Sequence, residues 1–168
     1  MVELSLNDWV VLALLGEEPR HGFAIARELR PNVDLGRVLT IQRALVYRSL
    51  DRLVVAGLAV VVAVEPGDSG PDRIVHRVTR LGRTALTEWF GRPVEHVRDL
   101  RVEFLVKLRL SQRAGRDTST LLASQRAVLG PTLDHLTGFT ADADAVDRWR
   151  HHQATAARAF LEDLARRP

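Results

Sequence analysis

The chain of 168 residues contains no cysteine. That excludes disulfides, thiolate metal sites and a catalytic thiol. It also agrees with a reducing compartment, so the protein is expected in the cytoplasm. Lysine is nearly absent too: Lys107 stands alone among 24 basic residues, the rest being arginine. A GC-rich genome produces such a bias, which carries little functional information. No apolar run approaches the ~20 residues of a membrane span, and Met1-Val2-Glu3-Leu4 lacks the basic start of a signal peptide. No membrane association is expected. The catalytic signatures are missing as well: there is no Gly-Lys-Ser/Thr phosphate loop, no His-Glu-x-x-His and no Gly-x-Ser-x-Gly. Gly67-Asp68-Ser69-Gly70 lacks the spacing of a nucleophile elbow. The six histidines show no metal-ligand spacing, and His151 and His152, being adjacent, point different ways on a helix. Neither an enzyme nor a cofactor or metal is expected.

What remains is ordinary globular composition, 46% apolar and 27% charged, in a length suited to one domain or two small ones. Charge placement says more than net charge. Residues 37–83 hold eight basic side chains (Arg37, Arg43, Arg48, Arg52, Arg73, Arg77, Arg80, Arg83) against four acidic ones (Asp51, Glu65, Asp68, Asp72). That stretch therefore carries +4, while the whole chain carries +3, so all of the excess positive charge is concentrated there. Such a concentration suits a phosphate backbone.

The same stretch has a distinctive order of elements. Ser5 and Asp8 have capping-box spacing for a first helix from about Leu6 to Leu15, closed by Gly16. Pro19 stops it, and a second helix starts near His21 and ends before Pro31, with Phe23, Ile25, Ala26 and Leu29 expected inward. A third helix is expected after Thr40, whose hydroxyl can cap it. Val46, Leu50 and Leu53 share one face of it, and Arg48 and Arg52 share the opposite face with Ile41 and Leu45. Gly57 ends that helix. The valine-rich run Leu58–Val64 and the segment Arg73–Thr79 read as strands around a tip of Pro66, Gly67, Gly70 and Pro71. Thr79 can cap a fourth helix to about Phe90. After Gly91-Arg92-Pro93 the pattern is helical throughout, with segments at about 94–111, from Asp117 to about Gly138, and 142–165. A kink or break is expected at Gly130-Pro131.

This is the order of a winged helix-turn-helix, and the residues resemble the PadR family of transcriptional regulators. Leu12-Ala13-Leu14-Leu15-Gly16-Glu17-Glu18-Pro19-Arg20-His21-Gly22-Phe23 is similar to the family's opening helix, turn and second-helix start. Val46-Tyr47-Arg48-Ser49-Leu50-Asp51-Arg52-Leu53 with Gly57-Leu58 is similar to its recognition helix, and Val75-His76-Arg77-Val78-Thr79-Arg80-Leu81-Gly82 to its wing strand and exit. Trp89, Pro93 and Arg101–Leu108 resemble the start of its C-terminal domain. Ala44-Leu45-Val46 stands where many members have Gly-Thr-Leu, His76 where a tyrosine is common, and Val54 where a glutamate is frequent. These departures bear on base preference.

The expected architecture is mainly α with a small β-wing. Residues 1–92 would form the DNA-binding domain and residues 93–168 a helical dimerisation domain. Candidate contacts with double-stranded DNA are Thr40, Gln42, Arg43, Tyr47, Arg48, Arg52, Arg73 and Arg77. Arginine can hold phosphate or read guanine, and Gln42 can read adenine or serve the helix start. Tyr47 can bond a phosphate or pack. The apolar positions Val102, Leu105, Leu108, Leu121, Leu122, Val128, Leu129, Leu133 and Leu136 favour a homodimer. The resemblance implies that Trp89, with Trp9, contributes to an aromatic or amphipathic effector site, packing without ligand being the alternative. The function expected is that of a ligand-modulated repressor on a near-palindromic operator. A constitutive repressor and a winged-helix protein adaptor are the alternatives.

Overall fold

The computed structural model describes residues 3–66, 72–138 and 143–166. It divides into two compact units, Met1–Trp89 and Phe90–Pro168.

In the first unit, α1 (Leu6–Glu17) is the central helix. Its residues Val10 to Leu15 are all buried, because a helix that is apolar all round has no solvent face to offer. The capping box forms: Asp8 N–H donates to Ser5 Oγ at 3.4 Å, and Ser5 N–H donates to Asp8 Oδ2 at 2.8 Å. Gly16 does not end the helix but lies within it. A side chain there would meet Leu86, so the glycine admits close packing.

Next comes a strand that no local pattern announced. β1 (Arg20–His21) is only two residues long, too short for alternation to show. It pairs with β3 (Arg73–Val78), and β3 pairs antiparallel with β2 (Ala59–Glu65), giving the order β1-β3-β2. A bulge lies between Val61 and Ala63. The expected wing tip, Gly67 to Pro71, lies outside the described residues. Arg20 is anchored by three carboxylates, Glu17 at 2.9 Å, Glu18 at 3.1 Å and Glu28.

The second helix, α2 (Gly22–Glu28), is capped by His21, whose Nδ1 accepts the Ala24 N–H at 3.1 Å. Ile25, Ala26 and Leu29 are buried as expected, but Phe23 is not: it is 40% exposed. Its position in the first turn points it away from the core that Ile25 and Leu29 enter.

α3 (Arg43–Val55) begins later than Thr40. The Thr40 hydroxyl donates backward to the Gly36 carbonyl at 3.1 Å instead of capping the helix, and Gln42 takes the N-cap position without a side-chain cap bond. Ile41, expected on the arginine face, precedes the helix and is buried. Val46, Leu50 and Leu53 are the buried side. At the other end, Gly57 N–H donates to the Val54 carbonyl and Leu58 N–H to the Leu53 carbonyl. This Schellman arrangement needs the left-handed φ of 70° that Gly57 adopts. Thr79 then caps α4 (Arg80–Gly91) by accepting the Gly82 N–H at 3.0 Å, while its hydroxyl donates to the Gly57 carbonyl at 2.8 Å.

The second unit is helical. α5 (Val97–Asp99) passes through a π-turn (Leu100–Phe104) into α6 (Leu105–Arg113), followed by α7 (Ser119–Thr137) and α8 (Ala145–Arg166). Phe104, Leu108, Leu121, Leu129, Leu133 and Leu161 form its core. The break expected at Pro131 does not occur, and α7 runs through it. Gly130 precedes the proline and has no Cβ for the ring to strike. Gln125 and Lys107 are among the buried polar residues of this unit. Gln125 is fully buried and holds Val94, accepting its N–H and donating to its carbonyl, both at 2.8 Å. Lys107, 1% exposed, donates to the Arg92 carbonyl at 2.8 Å and meets Glu103 at 2.7 Å. Burial pulls its pKa down against the opposing pull of Glu103.

Candidate nucleic-acid interface

The candidate residues divide by what already holds them. Arg43, Tyr47 and Arg48 lie on α3 and are exposed, one helical turn separating Arg43 from Tyr47. The Arg43 guanidinium lies 5.5 Å from the centroid of the Tyr47 ring and 5.5 Å from that of Phe23. Gln42 and Thr40 are exposed just before the helix.

Arg52 is held differently. Its Nη1 bonds Asp8 Oδ2 at 3.1 Å, and Asp8 is 2% exposed while the Arg52 side chain is 42% exposed. The arginine thus ties α3 to α1 and keeps the rest of its guanidinium toward solvent. Desolvation pushes the Asp8 carboxyl up, but hydrogen bonds from Ser49 and Ser5 and the Arg52 charge outweigh it, so its pKa falls below the usual 3.8. The burial of Asp8 was readable in principle, although its partner 44 residues away was not. Asp8 precedes Val11, Leu12 and Leu15 at helical spacing, so an acid facing the core called for a compensating partner.

On the wing, Arg77 is exposed and lies opposite Val60 in the β2–β3 register, whereas Arg73 is half-buried opposite Glu65. Between them, His76 is buried, and burial lowers its imidazole pKa below 6.5 although the Ile74 backbone and the charge of Asp51 on α3 oppose the shift. The histidine is therefore neutral near pH 7. β2 itself is unusually apolar for an outer strand, with Val60, Val61, Val62 and Val64 all exposed.

Trp9 and Trp89 do come together. Their rings stack with centroids 5.6 Å apart and planes 3° from parallel, Trp89 being 3% exposed and Trp9 half-buried. A flat molecule meets a closed pair there, not an open slot.

A helix presenting arginines at one end, followed by a β-ribbon with a further exposed arginine, defines a winged helix-turn-helix. The model of the family described as the Transcriptional regulator PadR-like family matches residues 11–88, from within α1 to the last turns of α4. Residues 11–88 thus resemble the PadR-like family of transcriptional regulators. Among solved structures it is similar in fold to Bacillus subtilis PadR in complex with operator DNA, with 17% identity, 94% of this chain and 97% of that chain covered, and a TM-score of 0.50. It also aligns with smu.1604c from Streptococcus mutans UA159 (17% identity, 93% and 96% covered, TM-score 0.47). A third match is Bacillus subtilis PadR in complex with p-coumaric acid (16% identity, 98% and 97% covered, TM-score 0.44). No curated protein matches the chain. Among the described residues no helix is long and apolar enough to cross a membrane.

Proposed function

We propose that the chain is a homodimeric repressor, not an enzyme, that binds a near-palindromic operator in the cytoplasm and releases it on binding an aromatic or amphipathic effector. The observation that carries the DNA reading is the exposed surface of α3. Arg43, Tyr47 and Arg48 face solvent while Val46, Leu50 and Leu53 anchor the other side. A rigid helix so loaded suits the major groove, with Gln42 and Thr40 at its leading end and Arg77 and Arg73 available to the backbone or the minor groove. Arg52 contributes by fixing the helix and, through its exposed nitrogens, by adding charge. The operator DNA bound by Bacillus subtilis PadR supports the same use of the fold.

The dimer rests on α7 and α8, which leave Val128, Val146 and Trp149 42%, 56% and 63% exposed. Covering such side chains is favourable, and a two-fold dimer pairs two recognition helices with two operator half-sites. Selection of duplexes from a randomised pool, with sedimentation of the free protein, tests both parts. A palindromic consensus and a dimer are expected. A monomer, or a pool with no enrichment, contradicts the proposal.

The stacked tryptophan pair favours a second reading, a constitutive repressor without effector, because a flat ligand has to part rings that already satisfy each other. Flat cationic and phenolic compounds that quench tryptophan and weaken operator binding support the regulated form. Quenching with unchanged operator affinity supports the constitutive one. A salt-independent interaction with no duplex bound leaves only a protein adaptor.

A further inference from the structure

We propose that Phe23 is a positioning residue for DNA recognition, holding the Arg43 guanidinium in place together with Tyr47; this rests on the DNA-binding reading of α3. Phe23 is not inward as its sequence position suggested. It is a large apolar side chain 40% exposed in the first turn of a seven-residue helix whose Ile25 has no exposed surface at all. Singly exposed apolar side chains are ordinary, so the neighbours of the ring decide whether it has a use. What the ring touches supplies one: the Arg43 guanidinium carbon lies 5.5 Å from its centroid and 5.5 Å from that of Tyr47. One cation thus has two aromatic neighbours, each within the ~6 Å over which a ring quadrupole attracts it.

The rings are themselves fixed. A Cβ at Gly22 would lie 2.9 Å from the Tyr47 ring, so Tyr47 rests directly on the backbone of the residue before Phe23. Phe23 in turn stacks on His21 with centroids 6.3 Å apart and planes 15° from parallel. His21 is locked as the α2 cap and as the strand partner of Val75. A chain of fixed groups therefore runs from the sheet through His21 and Phe23 to Arg43. A free arginine loses rotamer entropy when it is immobilised. Two ring faces reduce the conformations available before binding, while the edge nitrogens of the guanidinium stay open to phosphate or guanine. α2 thus takes part in recognition through α3, a role that a helix packed only beneath the reader does not have.

The test is a double-mutant cycle on the full chain, using a fluorescein-labelled duplex selected from a randomised pool by the wild-type protein and a scrambled duplex of equal length. Phe23→Leu is expected to weaken binding to the selected duplex about two- to fivefold, the fold-change equal to about 0.5–1 kcal/mol, and to narrow the preference over the scrambled duplex. Phe23→Tyr is expected to retain wild-type binding. In an Arg43→Ala background, Phe23→Leu is expected to have no further effect. A DNA-independent readout accompanies it: the Arg43 δ-proton resonances of the free protein, displaced by ring currents, shift toward random-coil values in Phe23→Leu but not in Phe23→Tyr. If the Phe23→Leu loss is the same in both backgrounds, or if those resonances do not move, the positioning role is overturned while the DNA reading stands. If wild-type protein enriches no duplex, the DNA reading itself fails, and the resonance shift alone then decides whether the ring–cation contact exists.

Discussion

Replacing Arg52 by Gln separates a structural arginine from a purely DNA-contacting one. The substitution removes the positive partner of Asp8, a carboxylate 2% exposed, and leaves it with the Ser5 amide at 2.8 Å, the Ser5 hydroxyl at 2.7 Å and the Ser49 side chain. Exposed pairs contribute about 0–1 kcal/mol, whereas removing one partner of a fully buried pair costs about 3–5 kcal/mol. Arg52 is 42% exposed, so solvent screens half of this pair. The expected cost is about 1–2 kcal/mol, between those limits. For a chain of this size that lowers the melting temperature by about 2–8 °C, at about 2–4 °C per kcal/mol. Asp8→Ala loses the pair and the capping box together, about 2–3 kcal/mol. The double variant should fall short of the sum by about 1 kcal/mol, the coupling expected for two residues that touch. The pH dependence has a definite sign. The folded pKa of Asp8 is depressed below 3.8, so its contribution is fully present above the unfolded value and is lost as pH falls through the lower folded one. Guanidinium melts at pH 7 and pH 5 should therefore give the same loss for Arg52→Gln, and the loss should shrink only in strong acid. An Arg52→Gln protein as stable as wild type at pH 7 would show that the ion pair holds nothing.

Three further outcomes follow from other buried groups. His76→Phe should remove an acid-sensitive step: the folded pKa lies below 6.5, so the wild type loses stability as pH falls from 6.5 toward that lower value, and chemical melts from pH 7.5 to 5 should be flatter in the variant. Gln125→Leu strands the N–H and carbonyl of Val94 and should cost about 2–4 kcal/mol in the same melts. Gly82→Ala places a Cβ 2.2 Å from the Leu58 carbonyl and should destabilise at the upper end of about 1–3 kcal/mol, whereas Gly57→Ala meets no atom and should cost only the left-handed strain of about 1–2 kcal/mol.

Much of the DNA-binding unit was legible because its determinants are local. Ser5 and Asp8, the Val46-Leu50-Leu53 face, Gly57 and Thr79 each act within a few residues, and each does what its spacing implies. Three features were not legible, for one shared reason. The contact of Phe23 with Arg43, the pairing of Arg52 with Asp8 and the strand at Arg20–His21 depend on residues 20, 44 and about 55 positions away, respectively, and no periodicity reports such partners. Thr40 differs from expectation for another reason. A threonine before a helix caps it only if the first turn begins beside it, and here Ile41 dives into the core and delays the helix to Arg43. Pro131 reads as a breaker, yet α7 runs through it; the glycine before it spares the clash with a preceding Cβ but not the lost ladder bond.

The central claim, that the exposed α3 surface binds duplex DNA, is tested most directly by salt dependence. Anisotropy titrations of a labelled selected duplex with wild-type protein and with the Arg43→Ala/Arg48→Ala variant, across ionic strength, give the slope of log affinity against log salt. The account predicts a weaker variant whose slope is shallower by about one unit for each phosphate that the variant no longer neutralises in each dimer half. A variant with wild-type affinity and wild-type slope would contradict it.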